Sequence, residues 1–347
     1  MRGDRIGVPA AIAGLVAAAA VFVAVAVVGG AAWRAWLGAA VLLTCAPTGA
    51  LAAAMMLRLI PGAWRDGLAG PLAAAPALLP PAALAMAPIL AAPGLLYAWV
   101  GDPGPGAFRA AWMTPGFFAL RGVLWFVLLV VLAVRLGRDP RAERTATLGL
   151  IAVVVFGLPI AFDWLLSLDH GFASSGFGLY LLSVAILLAL ALAVAAGARH
   201  PEPRVRDVLG GSLFTVAILW AYLGFMQYFI TWSGDLPGGV HWYLRRGDGW
   251  GALAWLAIGL KTVGIAPLIF GHVRRSPKYL ALCALLIAAA SVPEIGWLAL
   301  PAPGAPAGWG TLGLFLAASA ALGLCGFGLV RIAGLRRRGA LGRRAPA

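Results

Sequence analysis

The sequence has 347 residues, of which 62% are hydrophobic and only 11% are charged, and its mean hydropathy is +0.94. A chain of this composition cannot present the polar surface of a water-soluble protein, so we interpret it as a polytopic membrane protein. The formal net charge of +14 would favour nucleic acid binding in a soluble domain. Here, however, the Lys and Arg residues lie between apolar segments, where they set membrane orientation, and no nucleic acid partner is needed to account for them.

Ten apolar segments are each long enough to cross a hydrocarbon layer of roughly 30 Å. The first resembles a signal peptide, but its apolar part is longer than usual and a second segment follows at once, so we predict a retained helix. The third contains Pro71, Pro76, Pro80 and Pro81 and is predicted to be kinked or broken. The segments lie near residues 7–30, 33–57, 68–92, 115–136, 146–168, 175–198, 208–232, 251–271, 279–299 and 309–334.

The basic residues predict the orientation of these segments. The two termini and the connections on their side of the membrane hold 20 of the 26 Lys and Arg residues, whereas the connections on the other side hold four. Positive residues accumulate on the cytoplasmic side, so both termini are predicted to be cytoplasmic.

A short pattern occurs twice along the chain. Arg65 to Leu68 reads Arg-Asp-Gly-Leu before the third segment, and Arg206 to Leu209 reads Arg-Asp-Val-Leu before the seventh. An interval of four segments restores the same orientation, so the pattern is consistent with a parallel repeat of segments two to five and six to nine. Chance similarity between two cytoplasmic connections remains an equal alternative, because one short motif is weak evidence of a repeat.

Polar residues are concentrated at the end of the fifth segment, where Asp163, Ser167, Asp169 and His170 follow a long apolar run. A carboxylate inside a membrane-buried segment costs free energy, and such residues usually mark an ion, proton or substrate path. Asp163 and Ser167 are four residues apart and therefore share one helix face. This stretch is the first candidate for a functional site.

Other segments place polar residues at the level of Asp163. At a rise of 1.5 Å per residue, Arg121, Tyr180, Gln227 and Glu294 lie roughly 8 Å below the outer interface, and Lys261 lies deeper, near the midplane. Two acids and two bases at this depth would line a wet cavity that handles protons, or would form a purely structural layer of ion pairs. Both interpretations stay open, and in either case we expect Arg121 to pair with one of the two acids.

The sequence predicts no redox centre. The cysteines lie within apolar segments without metal-binding spacing. All four histidines lie in connections or at helix ends, so no pair within the membrane can provide both axial ligands of a buried haem. We therefore expect no haem, no iron–sulfur cluster and no metal. The residues concerned are Cys45, Cys283, Cys325, His170, His200, His241 and His272. The aromatic residues Trp232, Trp242, Tyr243 and Trp250 are interpreted as an interfacial belt.

Helices four to nine resemble the second NrfD-like (polysulfide-reductase-type) membrane subunit of bacterial alternative complex III, a quinol:electron-acceptor oxidoreductase. The resemblance covers roughly 190 residues in the order of the family, which is more specific than any single motif. The matching stretches are Thr114 to Arg121, Asp163 to Asp169, Phe177 to Tyr180, Leu219 to Trp232, Trp242 to Arg246 and Glu294 to Trp297.

The apolar segments predict an all-α membrane protein of about ten transmembrane helices. The resemblance implies two four-helix bundles with peripheral first and last helices, in the bacterial inner membrane. The implied divisions are residues 1–32, 33–174, 175–300 and 301–347. Partners in the respiratory chain would be a quinol-reactive paralogue and iron–sulfur and cytochrome c subunits, with quinone or quinol as the ligand.

The chemistry of the polar residues agrees in part with this expectation and suggests their roles. Asp163 and Glu294, aided by Arg121 and Lys261, are candidates for accepting the protons that quinol oxidation releases. Candidates for contacting the quinone are Gln227, Tyr180, Tyr222, Ser167, Asp169 and His170.

Two other functions remain open. A stand-alone secondary transporter would share the internal repeat, the broken third helix and a midplane lysine such as Lys261. A non-catalytic scaffold that anchors partners in the membrane would also have this composition. Neighbouring genes for a multihaem cytochrome and an iron–sulfur protein would favour the oxidoreductase.

Overall fold

The computed structural model describes residues 4–104, 106–139, 142–169, 172–235, 237–247, 249–301 and 308–342. The chain is 87% helical and, over these residues, contains no β-strand. Within the described residues, ten helical stretches are long and apolar enough to cross a membrane. The prediction of an all-α polytopic membrane protein with about ten transmembrane helices is therefore confirmed.

The described residues form fourteen α-helices, joined by connections that include short 3₁₀ turns. The helices are α1 (Asp4–Val28), α2 (Ala32–Leu59), α3 (Trp64–Ala74), α4 (Leu79–Ala91), α5 (Ala107–Trp112), α6 (Pro115–Arg138), α7 (Glu143–Trp164), α8 (Phe177–Gly197), α9 (Pro203–Ser233), α10 (Pro237–Gly247), α11 (Gly251–Ile265), α12 (Gly271–Arg275), α13 (Pro277–Ala299) and α14 (Trp309–Gly342).

The third membrane segment is broken, as its prolines predict. It consists of α3, a 3₁₀ turn over Ala75–Leu78 and α4. Pro76 lies in the turn, and Pro80 lies in the first turn of α4, where a missing backbone N–H costs no helical hydrogen bond. The break gives this segment two helical halves that pack separately against α2.

Helix α2 lies at the centre of the protein and contacts α3, α4, α6, α7, α8, α13 and α14. Its crossing with α8 is close because Gly49 has no side chain. A Cβ atom at Gly49 would lie 1.9 Å from the carbonyl oxygen of Ala185. Small residues allow such close approach of membrane helices. Helices α1 and α14 pack mainly against each other at the periphery.

The remaining membrane helices pack in two similar arrangements. In the first, α2 contacts α3, α4 and α7, and α6 packs on α7. In the second, α8 contacts α9 and α13, and α11 packs on α13. Each arrangement includes one long connection with a short helix, α5 in the first and α10 in the second. The division into residues 33–174 and 175–300 stays a prediction.

Candidate functional site

The first charged centre joins α6 and α7. Arg121 Nε donates to Asp163 Oδ2 at 2.6 Å and Nη2 donates to Oδ1 at 3.0 Å, which gives a bidentate pair. Arg121 is 9% exposed and Asp163 is 1% exposed. The expectation that Arg121 pairs with one of the two acids is confirmed, and the acid is Asp163.

The end of α5 completes this centre. Trp112 Nε1 donates to Asp163 Oδ1 at 3.2 Å, and the carbonyl oxygen of Trp112 accepts from Arg121 Nη1 at 3.1 Å. The guanidinium carbon also lies 4.2 Å from the centre of the Trp112 ring and 4.3 Å from that of Phe117. A buried ion pair is tolerated only when further hydrogen bonds satisfy its remaining groups, and Trp112 satisfies one group on each partner.

The second charged centre joins α11 and α13. The Lys261 ammonium donates to Glu294 Oε2, and both residues are buried, Lys261 at 0% and Glu294 at 3% exposure. The hydroxyl of Tyr180 and the indole N–H of Trp220 donate to Glu294 Oε1 at 2.6 and 2.7 Å. The Lys261 Nζ atom also lies 3.8 Å from the centre of the Trp220 ring. The ammonium of Lys261 is therefore held between the carboxylate of Glu294 and the ring of Trp220.

The two centres have the same construction. In each centre, the acid lies on the last long helix of its arrangement and binds a cation on the preceding membrane helix. An indole N–H donates a hydrogen bond to the same acid, Asp163 or Glu294. The cation also lies over the ring of that indole. They differ in the cation. Arginine does not release its proton in proteins, whereas a buried lysine can. Arg121 binds both oxygens of Asp163 through two donors, whereas Lys261 binds one oxygen of Glu294.

The polar residues that follow Asp163 in the sequence form hydrogen bonds and ion pairs with other residues of the protein. Ser167 donates to the backbone oxygen of Asp163 at 2.5 Å and accepts from the indole of Trp99 at 3.3 Å. Asp169 pairs with Arg245, and Arg246 Nη1 lies 3.8 Å from the same carboxylate oxygen. His170 lies outside the described residues. Whether these residues contact a quinone stays a prediction.

Arg246 depends on this arrangement because its side chain is buried. Burial lowers the pKa of Arg246 to about 9, and the carboxylate of Asp169 opposes this change. The guanidinium also donates to the backbone oxygens of Trp242 and Leu298 at 3.3 and 3.1 Å. Asp169 and Arg246 thereby attach α10 to the ends of α7 and α13.

Two predicted quinone contacts on α9 have different surroundings. The Gln227 Oε1 atom accepts from Ser174 at 2.6 Å, whereas its buried Nε2 atom has no hydrogen-bond partner among the described residues. Tyr222 is 57% exposed on the outer surface of α9 and does not join either charged centre in the described part of the chain. Trp220 lies two residues earlier, on the opposite helix face, and contacts Glu294 instead.

A small cavity lies between α2, α6, α7 and α8, next to the helix turn that carries Asp163. Its volume is about 40 Å³, and its wall includes Thr44, Thr48 and Cys45. The Thr48 hydroxyl is buried without a hydrogen-bond partner in the described residues. This volume can hold water but not a quinone ring, since ligand sites usually enclose roughly 300–1,000 Å³.

Three interpretations from sequence need correction or addition. Trp242 and Trp250 do not form an interfacial belt, because they are only 3% and 5% exposed and pack inside the protein, whereas Trp232 is 65% exposed. The sequence alone did not predict Trp112 as a partner of Asp163. It also missed Arg34, a buried residue of α2 that donates to the backbone oxygen of Pro301. Its position two residues after the start of an apolar helix could have identified it as a buried, bound arginine.

Among the described residues, no group of three His, Cys, Asp or Glu side chains is close enough to hold a metal ion. No family model matches the sequence, and no curated protein matches it at a significant level.

Proposed function

We propose that this chain is an integral membrane subunit of a quinol:electron-acceptor oxidoreductase, in which Asp163 and Glu294 handle protons released by quinol oxidation. The observation that supports this proposal most directly is the paired construction of the two buried charged centres. Each places one carboxylate against a cation and an indole donor at a similar depth. Ionisable groups inside a membrane protein are costly and usually serve transport or proton transfer.

The two centres would divide the chemistry. Oxidation of a quinol releases two electrons and two protons, and the electrons would leave through redox partners. A proton taken up by Glu294 would leave Lys261 as a lone buried charge until either Glu294 or Lys261, which can also release a proton, passes one on. Protonation of Asp163 would leave Arg121 uncompensated, so uptake there would require rapid onward transfer.

A surface beside the first centre would suit a quinol ring. Phe108 is 76% exposed and Phe117 is 39% exposed, and both rings pack against Trp112, whose indole N–H binds Asp163. The ring of a lipid-dissolved quinol can stack on such aromatic faces within a short distance of the carboxylate. The internal cavity near Asp163 is too small for this ring, so the proposed approach is from the lipid.

Purification of the full chain from its native membranes in mild detergent tests the proposal. We expect iron–sulfur and multihaem cytochrome subunits to co-purify, and we expect the purified assembly to reduce cytochrome c with quinol as electron donor. A parallel purification with an unrelated tagged membrane protein controls for contamination. A homogeneous single chain that transports a solute after reconstitution would contradict the proposal and favour the transporter.

A further inference from the structure

A groove lies between the end of α8 and the beginning of α13, far from both charged centres. It is open on one side and has a volume of about 580 Å³, which is large enough for part of a lipid molecule. Arg199 and Lys278 line it together with Ala195, Ala281 and Leu285. The same end of the protein carries Arg and Lys residues from several other connections, and we refer to it as the basic end.

We propose that this groove binds an anionic phospholipid, with its phosphate between Arg199 and Lys278 and one acyl chain along the apolar wall. Basic pockets between membrane helices on the cytoplasmic side are suited to such head groups. The proposal is independent of the quinol oxidoreductase function.

The charges at the groove are available for a ligand. Among the described residues, Arg199 and Lys278 form no ion pair with a carboxylate within 4.0 Å. By contrast, Arg274 and Arg275 at the same end are both paired with Asp207. The groove therefore has two uncompensated positive charges, and the N-terminal end of α13 adds a partial positive charge.

The shape of the groove favours a lipid over a free phosphate ion. Its wall extends from Pro277 to Leu285, which is about 12 Å along α13 at 1.5 Å per residue. Ala195 and Ala281 have small side chains, which leaves room for an acyl chain between the two helices. The groove begins where the candidate membrane spans Phe177–Gly197 and Pro277–Ala299 meet the basic end, and lipid head groups would lie at the ends of such spans.

Native mass spectrometry of the purified full-length protein with added phosphatidylglycerol or phosphatidylcholine of identical acyl chains tests this site. We expect preferential binding of phosphatidylglycerol. The double variant Arg199→Gln/Lys278→Gln should bind it on the order of 25-fold more weakly, because each basic residue near a membrane surface contributes about a factor of five.

Two further variants separate the possible sources of binding. Arg135→Gln/Arg138→Gln removes two exposed charges on α6 and should change the affinity by less than about twofold. Ala281→Phe fills the groove and retains its charges, so it should also weaken lipid binding. If the α6 variant loses as much lipid affinity as the Arg199→Gln/Lys278→Gln variant, the lipid is attracted by the overall positive charge of this end. If Ala281→Phe binds the lipid as well as the wild type, the groove binds only the phosphate and not an acyl chain. Either result would overturn the proposed lipid site. Unchanged thermal unfolding of each variant confirms that it is folded.

Discussion

Removal of the charge on Glu294 should destabilise the protein strongly. Lys261 and Glu294 are almost completely buried, and Glu294→Gln would leave the ammonium without its counter-charge. Tyr180 and Trp220 can still donate to the amide oxygen of Gln, so the change isolates the charge from the rest of the packing. Loss of one partner from a buried ion pair costs roughly 3–5 kcal/mol in the free energy of unfolding. That is a large part of a total stability of about 5–15 kcal/mol.

A double-mutant cycle makes this prediction specific. Lys261→Met removes the positive charge with little change in length, and the variant Lys261→Met/Glu294→Gln should regain most or all of the wild-type stability, because a neutral pair carries no uncompensated charge. The assay is reversible unfolding in mixed detergent micelles, followed by tryptophan fluorescence. Glu143→Gln changes an exposed acid at the start of α7 and serves as the control, with an expected change within about 0.5 kcal/mol.

The outcome of the cycle distinguishes an ion pair from a neutral pair. If Glu294→Gln unfolds within about 0.5 kcal/mol of the wild type, the buried residues hold no separated charges and the reasoning is refuted. If the double variant is as unstable as the single one, Gln has damaged the packing around Tyr180 and Trp220, and the loss cannot be attributed to charge.

Three further predictions concern other parts of the molecule. Asp169→Asn should release α10, because Arg245 and Arg246 of that helix lose the carboxylate that binds them. Trypsin should then cleave residues 237–247 faster, and unchanged cleavage would contradict the anchoring role of Asp169. Gly49→Ala should destabilise the protein by about 3 kcal/mol, because the added methyl group clashes with the α8 backbone. Gly211 has open space around it, so Gly211→Ala should be tolerated. Equal thermal unfolding of the two variants would refute the close crossing of α2 and α8. Tyr180→Phe should lower the free energy of unfolding by about 1.5–3 kcal/mol, because it removes a hydrogen bond to the carboxylate of Glu294. Tyr222 is exposed, so Tyr222→Phe should have no measurable effect in the same assay. A larger loss for Tyr222→Phe than for Tyr180→Phe would contradict the described contact between Tyr180 and Glu294.

The sequence predicted the architecture because the membrane imposes simple rules. Apolar length located ten spans, and the prolines of the third span predicted a kink or break, which the structure places at Ala75–Leu78. The rise per residue placed Arg121 and Asp163 at one level, and their pair confirms that they meet there. The choice of Asp163 over Glu294 follows from the packing of α6 on α7, which the spacing of residues along the chain does not specify.

The residues around the acids were harder to predict because they depend on helix rotation and on connections. Tyr222 and Trp220 both lie on α9 at similar depth, and only the packing of α9 shows that Trp220 faces Glu294 while Tyr222 faces outward. Trp112 belongs to a long connection, where hydropathy gives no information about contacts. The sequence did not predict that Lys261 pairs with Glu294, because a long flexible side chain can carry its charge several ångströms from its backbone position.

The change Asp163→Asn, measured in the assembly purified from native membranes, tests the central proposal most directly. Asn keeps the size of the side chain but cannot take up a proton, so the rate of quinol-dependent cytochrome c reduction per assembled complex should fall at least about tenfold. Because Asn also leaves the buried Arg121 without its counter-charge, the yield of the assembly should fall, and the rates are therefore compared at equal amounts of co-purified complex. Asp102→Asn, which changes an exposed acid in the connection before α5, should retain the wild-type rate. An Asp163→Asn assembly that forms normally and turns over at the wild-type rate would contradict a role of Asp163 in proton transfer.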